Sequence, residues 1–243
     1  MTRMSRHKTE RRADKEGGRM ENLYVRLDNT NPEFYIAEIR QNGEETAHEA
    51  AHRAGLELLR AGLWERYGLR IDEPGLSEEV AFGEHGKPYL TNHPDIHFNI
   101  SHSHGYAVCA LADRPVGVDI EKIVPVRDAL IQRTLTDEEQ SAFARLIERG
   151  FRRDEVFFRF WTLKESYFKW DGCGLTKELK EIEFTLSVEG TDKEHTSDEK
   201  AYSSDAENGQ AGWHALCSDP RVSCGSFIHT GFRDYLVAWC TAH

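Results

Sequence analysis

His97-Phe98-Asn99-Ile100-Ser101-His102-Ser103-His104-Gly105-Tyr106-Ala107-Val108-Cys109-Ala110-Leu111-Ala112-Asp113-Arg114-Pro115-Val116-Gly117-Val118-Asp119-Ile120-Glu121 reads as consecutive strands. Ile96, Phe98 and Ile100 alternate with His97, Asn99 and Ser101, the pattern of a strand with one buried face. The short link His102 to Gly105 leads into Tyr106 to Ala112, an apolar run suited to burial on both faces. Asp113-Arg114-Pro115 turns the chain again, into Val116 to Ile123. The expectation is an antiparallel meander packed against helices.

Working outward, Ala47, Ala51, Ala54 and Leu58, followed by Leu59 and Leu63, recur at helical spacing and predict a helix over Glu45 to Arg66, ending at Tyr67-Gly68. Asp72 to Pro88, rich in Glu, Gly and Pro, reads as a loop. Downstream, helices are expected over Thr136 to Glu148 and Asp154 to Trp170. Short strands are expected at Ile182 to Val188, Trp213 to Cys217, Ser226 to Thr230 and Leu236 to Cys240. Helix followed by strands occurs twice, so the fold class is α+β, built of two similar halves, 20–115 and 116–243, each a helix packed on a small antiparallel sheet. There is no residue-level internal repeat, so the duplication rests on element order alone.

The chain has 243 residues, enough for a real core, with 39% apolar residues and a net charge of −11. Such a balance excludes a general binder of nucleic acid, whose affinity rests on neutralising phosphates. Residues 1–19 carry seven basic and three acidic side chains, a local +4, and almost nothing apolar. They read as a disordered extension upstream of a start at Met20, with neither a signal-peptide core nor a membrane span; a basic RNA-binding arm is the sharper alternative. Residues 189–210, with seven acids and two lysines, read as a mobile acidic insertion. Five cysteines form no C-x-x-C pair, as expected of reduced thiols in a cytoplasmic protein.

Alternation puts Asp119 and Glu121 on one face of their strand, opposite Val116, Val118 and Ile120. Carboxylates at i and i+2 have Cα atoms about 6.6 Å apart and can converge on a hard cation such as Mg²⁺. The plain alternative is the solvated face of a half-buried strand. In the helix around Trp161, Val156, Phe160, Leu163 and Tyr167 form a core stripe, and Glu165 lies opposite it with Lys169 one turn on. Phe158 and Trp161 share that side, which argues for a site, although a solvent-exposed Glu-to-Lys pair satisfies the same spacing. Thr136 and Glu139 form a capping box, which accounts for Glu139 without chemistry. His93, His97, His102 and His104 raise a zinc site as a competing reading, but there is no H-E-x-x-H and no cysteine at ligand spacing. A histidine beside Ser101 and Ser103 can instead donate to a phosphate oxygen. Neither Gly83 to Lys87 nor Gly172-Cys173-Gly174 is a nucleotide-binding fingerprint.

Gly86-Lys87-Pro88, the His97 to Ser103 strand, Gly117-Val118-Asp119-Ile120-Glu121-Lys122, and Trp161-Thr162-Leu163-Lys164-Glu165-Ser166 with Lys169, in this order, resemble the 4′-phosphopantetheinyl transferases of the Sfp type. The likeness extends from about Ala50 to Leu186 and includes Ala51-His52-Arg53 and Gly172-Cys173-Gly174-Leu175. It implies a pseudo-twofold monomer with its active site in the cleft between the halves. The implied reaction moves 4′-phosphopantetheine from coenzyme A to a serine of an apo acyl or peptidyl carrier protein and leaves 3′,5′-ADP. By the same resemblance Asp119, Glu121 and Glu165 match Mg²⁺ ligands, and Glu165 matches the base for the carrier serine. Lys164 and Lys169 match lysines at the pyrophosphate, the latter catalytic. Ser101 and His102 match the phosphate-binding pair, Arg53 the arginine at the 3′-phosphate, and Gly86, Lys87 and Pro88 the adenine-side loop. Glu139 aligns with a glutamate near the metal in some members.

Two departures stand out: Asn22 to Glu49 offers only Arg26 and Arg40 as basic residues for the 3′-phosphate, and His104 replaces a common glycine. A non-catalytic coenzyme A- or carrier-binding paralogue is the second reading, and a zinc hydrolase the third. The acidic chain still carries a local excess of nine basic over six acidic residues in 140–180, beside the expected pyrophosphate site.

Overall fold

The computed structural model describes residues 24–27, 31–173, 178–188, 212–228 and 234–243. The basic extension and the acidic insertion expected at 1–19 and 189–210 lie outside them. The chain divides into two compact units between Val118 and Asp119. Each combines helices with small antiparallel sheets, so the fold is α+β.

In the first unit, β1 (Tyr24–Leu27), β2 (Glu33–Glu38), β5 (His97–Ser103) and β6 (Tyr106–Ala112) make an antiparallel sheet of order β1-β2-β6-β5. The β5–β6 hairpin turns on His104 and Gly105, both at positive φ (45° and 93°), the two-residue geometry that matches strand twist. The connection is thus shorter than the expected His102 to Gly105 link. Strand β2 was not anticipated, because Phe34, Tyr35, Ile36 and Ala37 are all buried and the strand shows no alternation.

Across this sheet lies α1 (Ala47–Tyr67), begun by a Thr46/Glu49 capping box and ended by Gly68 in the left-handed conformation. Ala54, Leu58, Leu59 and Leu63 fill the interface with Tyr35, Phe98, Cys109 and Leu111. The helix approaches closely because Gly62 has no side chain: a Cβ there would sit 2.1 Å from Leu111 Cδ1 and 2.9 Å from Tyr35 Cε2. Gly62→Ala is expected to destabilise the protein by about 1–3 kcal/mol through overpacking, read as a lower urea midpoint. Asp72 to Pro88 is not the loop its composition suggests. Asp72 caps α2 (Glu73–Glu79), and β3 (Val80–Phe82) pairs with β4 (Pro88–Leu90).

The expected meander ends at β6. Strand β7 (Val116–Lys122) joins β11 (Tyr235–Ala242) and β10 (Val222–Ile228) in a sheet of order β10-β11-β7. Within the first unit, buried Asn99 of β5 accepts the Val118 N–H at 2.9 Å. The rest of the second unit contains α3 (Asp128–Thr134), α4 (Asp137–Glu148), α5 (Arg153–Asp171) and the β8–β9 pair (Phe184–Val188 and Trp213–Cys217). The expected stripe of Val156, Phe160, Leu163 and Tyr167 is buried, and so are Phe157, Phe158, Arg159, Thr162, Lys164, Ser166 and Phe168. Helix α5 is therefore a core helix covered nearly all round, not an amphipathic surface helix. Among the described residues no helix is long and apolar enough to cross a membrane.

Candidate active site

The carboxylates singled out in the sequence belong to the second unit. The pleat of β7 directs Asp119 and Glu121 to the same side; Asp119 is buried and Glu121 half-buried. From α5, Lys169 donates to Asp119 Oδ1 at 2.7 Å, and Glu165 lies one turn before Lys169. Burial pushes the Glu165 carboxyl up, the charge of Asp119 pushes it further, Lys169 opposes this, and Glu121 adds to it. Glu165 thus feels two further carboxylates, Asp119 and Glu121, and the Lys169 ammonium.

The donor chemistry fits a hard divalent cation. Among the described residues no three His, Cys, Asp or Glu side chains are gathered tightly enough to cage a metal ion as they stand. Mg²⁺ does not need a cage, since it is commonly held by one or two carboxylates, with water and phosphate completing its octahedron. In the structure the Lys169 ammonium stands beside Asp119.

Lys164 is not at the surface of this site. It is fully buried, and its Nζ donates to Leu179 O (2.8 Å), Ile182 O (2.6 Å) and Glu139 Oε2 (2.8 Å). An ammonium has three donors, and all three are engaged inside the protein. The resemblance expects Lys164 at the pyrophosphate; here its ammonium is engaged within the second unit. Glu139 is equally buried: Oε2 also accepts the Thr136 N–H (2.9 Å) and Oε1 the Phe184 N–H (2.9 Å), so its capping box is one edge of a hub joining α4, α5 and β8.

The residues expected to hold coenzyme A are in the first unit, apart from Lys164 and Lys169. Arg53 is enclosed by its own neighbours: Nε and Nη2 fork onto Glu45 (3.0 and 3.1 Å), Nη1 donates to Glu57 (2.9 Å), and Nη2 also reaches Arg40 O (2.6 Å). Its charge is balanced by two carboxylates, a restraint that spacing alone did not reveal. Ser101 and His102 are successive on β5, so they face opposite sides of the strand, Ser101 buried and His102 exposed. The His102 ring stands edge-on to His48 of α1, centroids 6.5 Å apart. Gly86, Lys87 and Pro88 close the β3–β4 hairpin, with Gly83 N–H on Lys87 O (2.9 Å) and Gly86 at φ 80°, where glycine carries no strain. The remaining histidines stay dispersed: His93 Nε2 is 3.7 Å from Glu79, and His104 Nδ1 is 2.9 Å from Ser103 Oγ.

Residues 115–240 match the 4′-phosphopantetheinyl transferase superfamily. The chain is 37% identical over 144 residues to a 4′-phosphopantetheinyl transferase of Bacillus subtilis, covering 58% of this chain and 62% of that one. A second relative from Bacillus subtilis, the 4′-phosphopantetheinyl transferase ffp, is 33% identical over 160 residues, 65% of this chain and 69% of its own. An L-aminoadipate-semialdehyde dehydrogenase-phosphopantetheinyl transferase of Xenopus laevis is 39% identical over 115 residues, 42% and 38% of the two chains. The match to the first of these relatives spans less than two thirds of that protein's length. With Asp119, Glu121 and Glu165 inside a family match that covers more than half of its residues, the chain belongs to the 4′-phosphopantetheinyl transferase superfamily.

Proposed function

We propose that this chain transfers 4′-phosphopantetheine from coenzyme A to a serine hydroxyl of an apo acyl or peptidyl carrier protein, with Mg²⁺ as cofactor and 3′,5′-ADP as the released product. The observation that carries the reading is Glu165, raised in pKa by burial and by Asp119, one helical turn from the Lys169 that holds Asp119. Asp119, Glu121 and Glu165 would hold Mg²⁺, which when bound neutralises charge developing on the pyrophosphate. The serine oxygen bonds to the phosphorus that carries pantetheine, the bond from that phosphorus to the ADP oxygen breaks, and the serine proton passes to Glu165. A carboxylate whose pKa is raised toward neutrality is a better base for that proton than an ordinary one. Lys169 lies beside Asp119 and can shift toward phosphate oxygens. In the first unit, Ser101, His102, Arg53 and the Gly86-Lys87-Pro88 turn are assigned to the phosphates and adenine of coenzyme A.

The test is to incubate the protein with coenzyme A and several apo carrier proteins, and to weigh the carriers by mass spectrometry. A gain of one phosphopantetheine is expected with Mg²⁺, none after EDTA, and recovery when Mg²⁺ is returned. Carriers that stay unmodified throughout would favour a binding paralogue, and activity tied to stoichiometric zinc a different enzyme.

The Arg53 assignment has its own test. A 3′-phosphate must compete with the Glu45 fork, so Glu45→Gln, which keeps the shape and removes the charge, is expected to lower the KM for coenzyme A several-fold. An unchanged or higher KM would remove Arg53 from the phosphate site.

A further inference from the structure

Three cysteines of the second unit lie on neighbouring strands, Cys217 at the end of β9, Cys224 in β10 and Cys240 in β11. Cys224 and Cys240 are directly opposed in the β10–β11 register, and their Sγ atoms are 2.6 Å apart. Opposed residues of an antiparallel pair have Cα atoms about 4.5–5.5 Å apart, within the range that a disulfide spans. Bond formation between them therefore needs side-chain adjustment and no backbone movement. The Cys240 sulfur also touches α5, 3.4 Å from Ser166 Oγ and 3.9 Å from Leu163 O, so the pair lies against the turn that carries Glu165.

Cys217 adjoins Cys224 of this pair. It is half-buried, and its sulfur accepts the Asp219 N–H at 3.4 Å. A hydrogen bond from Cys224, that N–H and the charge of Lys164 favour its thiolate against burial and the charge of Asp219. Cys224 is the reverse case, a thiol that burial and its two sulfur neighbours keep protonated. A half-buried thiol biased toward its thiolate, beside the half-buried Cys224 and the buried Cys240, is the arrangement of an attacking cysteine with its resolving partners. None of the five cysteines is disulfide-bonded in the structure.

We propose that Cys217, Cys224 and Cys240 form a peroxide-responsive thiol relay that ends in a Cys224–Cys240 disulfide. The Cys217 thiolate attacks one oxygen of hydrogen peroxide; the O–O bond breaks, a sulfenic acid forms, and the other oxygen leaves as hydroxide, which takes a proton from solvent to become water, a proton that Cys240 returns in the last step. Cys224 gives up its proton and attacks the Cys217 sulfur, so that an S–S bond forms, the S–O bond breaks and a second water leaves. Cys240, deprotonated in turn, attacks the Cys224 sulfur and releases Cys217 as the thiolate. Cys217 is the favoured leaving group because its thiol is the more acidic. In sum two thiols lose two hydrogens and one peroxide becomes two waters. The relay is independent of whether the chain transfers phosphopantetheine.

The experiment treats the reduced full chain with hydrogen peroxide, blocks remaining thiols by alkylation, and maps crosslinks by mass spectrometry. A Cys224–Cys240 crosslink within one chain, reversed by dithiothreitol, is expected. In Cys217→Ser the same crosslink should form at least about tenfold more slowly, since thiolate fraction sets the rate. In Cys240→Ala oxidation should stop at Cys217–Cys224. The proposal is overturned by oxidation of Cys217 without any crosslink, by thiols that all survive peroxide, by crosslinks to Cys109 or Cys173 instead, or by an unchanged rate in Cys217→Ser. Circular dichroism checks that the variants fold, Cys217→Ala replaces the serine variant if it does not, and the crosslink map of the unsubstituted chain decides by itself if neither folds.

Discussion

Replacing Glu139 by alanine is expected to cost the folded protein about 3–5 kcal/mol, because the Lys164 ammonium would remain in the core without its counter-charge. Burial already pushes Lys164 below the ordinary lysine range, and Glu139 is the principal group opposing that shift. The same substitution removes the acceptors of the Phe184 and Thr136 N–H groups, one binding β8 to the hub and the other closing the α4 cap. Urea unfolding of Glu139→Ala against the parent measures the loss. The double variant Glu139→Met with Lys164→Met should recover a large part of it, since a buried ion pair replaced by apolar side chains is often neutral. A loss below about 1 kcal/mol in Glu139→Ala, the size of an exposed pair, would show that the hub does not hold the unit together. If Lys164 instead served the pyrophosphate, Lys164→Met would lose activity while keeping its stability.

Glu165→Gln is expected to lower transfer by about a hundred- to ten-thousand-fold, the usual loss when a general base is removed. The variant should fold at least as well as the parent, and the sign follows from its raised pKa. A carboxyl whose folded pKa lies above its unfolded value favours the protonated native state, so ionisation at higher pH lowers stability. A neutral glutamine escapes that cost at neutral pH. Loss of activity together with an equal or higher urea midpoint is therefore the signature of a functional carboxylate. Loss of both would mean that Glu165 supports the fold, and retained activity would remove it as the base.

What the sequence disclosed follows the strength of its periodicities. Helices α1, α4 and α5 and strand β5 repeat apolar residues at clear spacing or open on capping boxes, and they were legible. Helices α2 and α3, of seven residues each, are too short to show a period. Strand β2 is buried over four successive residues, and the partner of β7 is set by tertiary pairing that local pattern does not encode.

That Asp119 and Glu121 of the candidate site share one side of β7 was legible, because a strand's side chains alternate. The two lysines were not separated, although helix geometry could have separated them. At about 100° per residue Lys169 lies about 40° from Glu165, whereas Lys164 lies about 140° from Lys169, so the two cannot serve one ligand from one face. The enclosure of Arg53 by Glu45 and Glu57 depends on rotamers and stayed invisible, and the Cys224–Cys240 pairing required the β10–β11 register.

In the proposed reaction a carrier serine and coenzyme A exchange one group across one bond. Its most direct measurement counts both products of the same reaction: 3′,5′-ADP by chromatography and holo-carrier by intact mass, with Mg²⁺ present. One 3′,5′-ADP is expected for each carrier modified, and none when the carrier's acceptor serine is alanine. Release of 3′,5′-ADP without modified carrier, or modification that survives the loss of that serine, would contradict it.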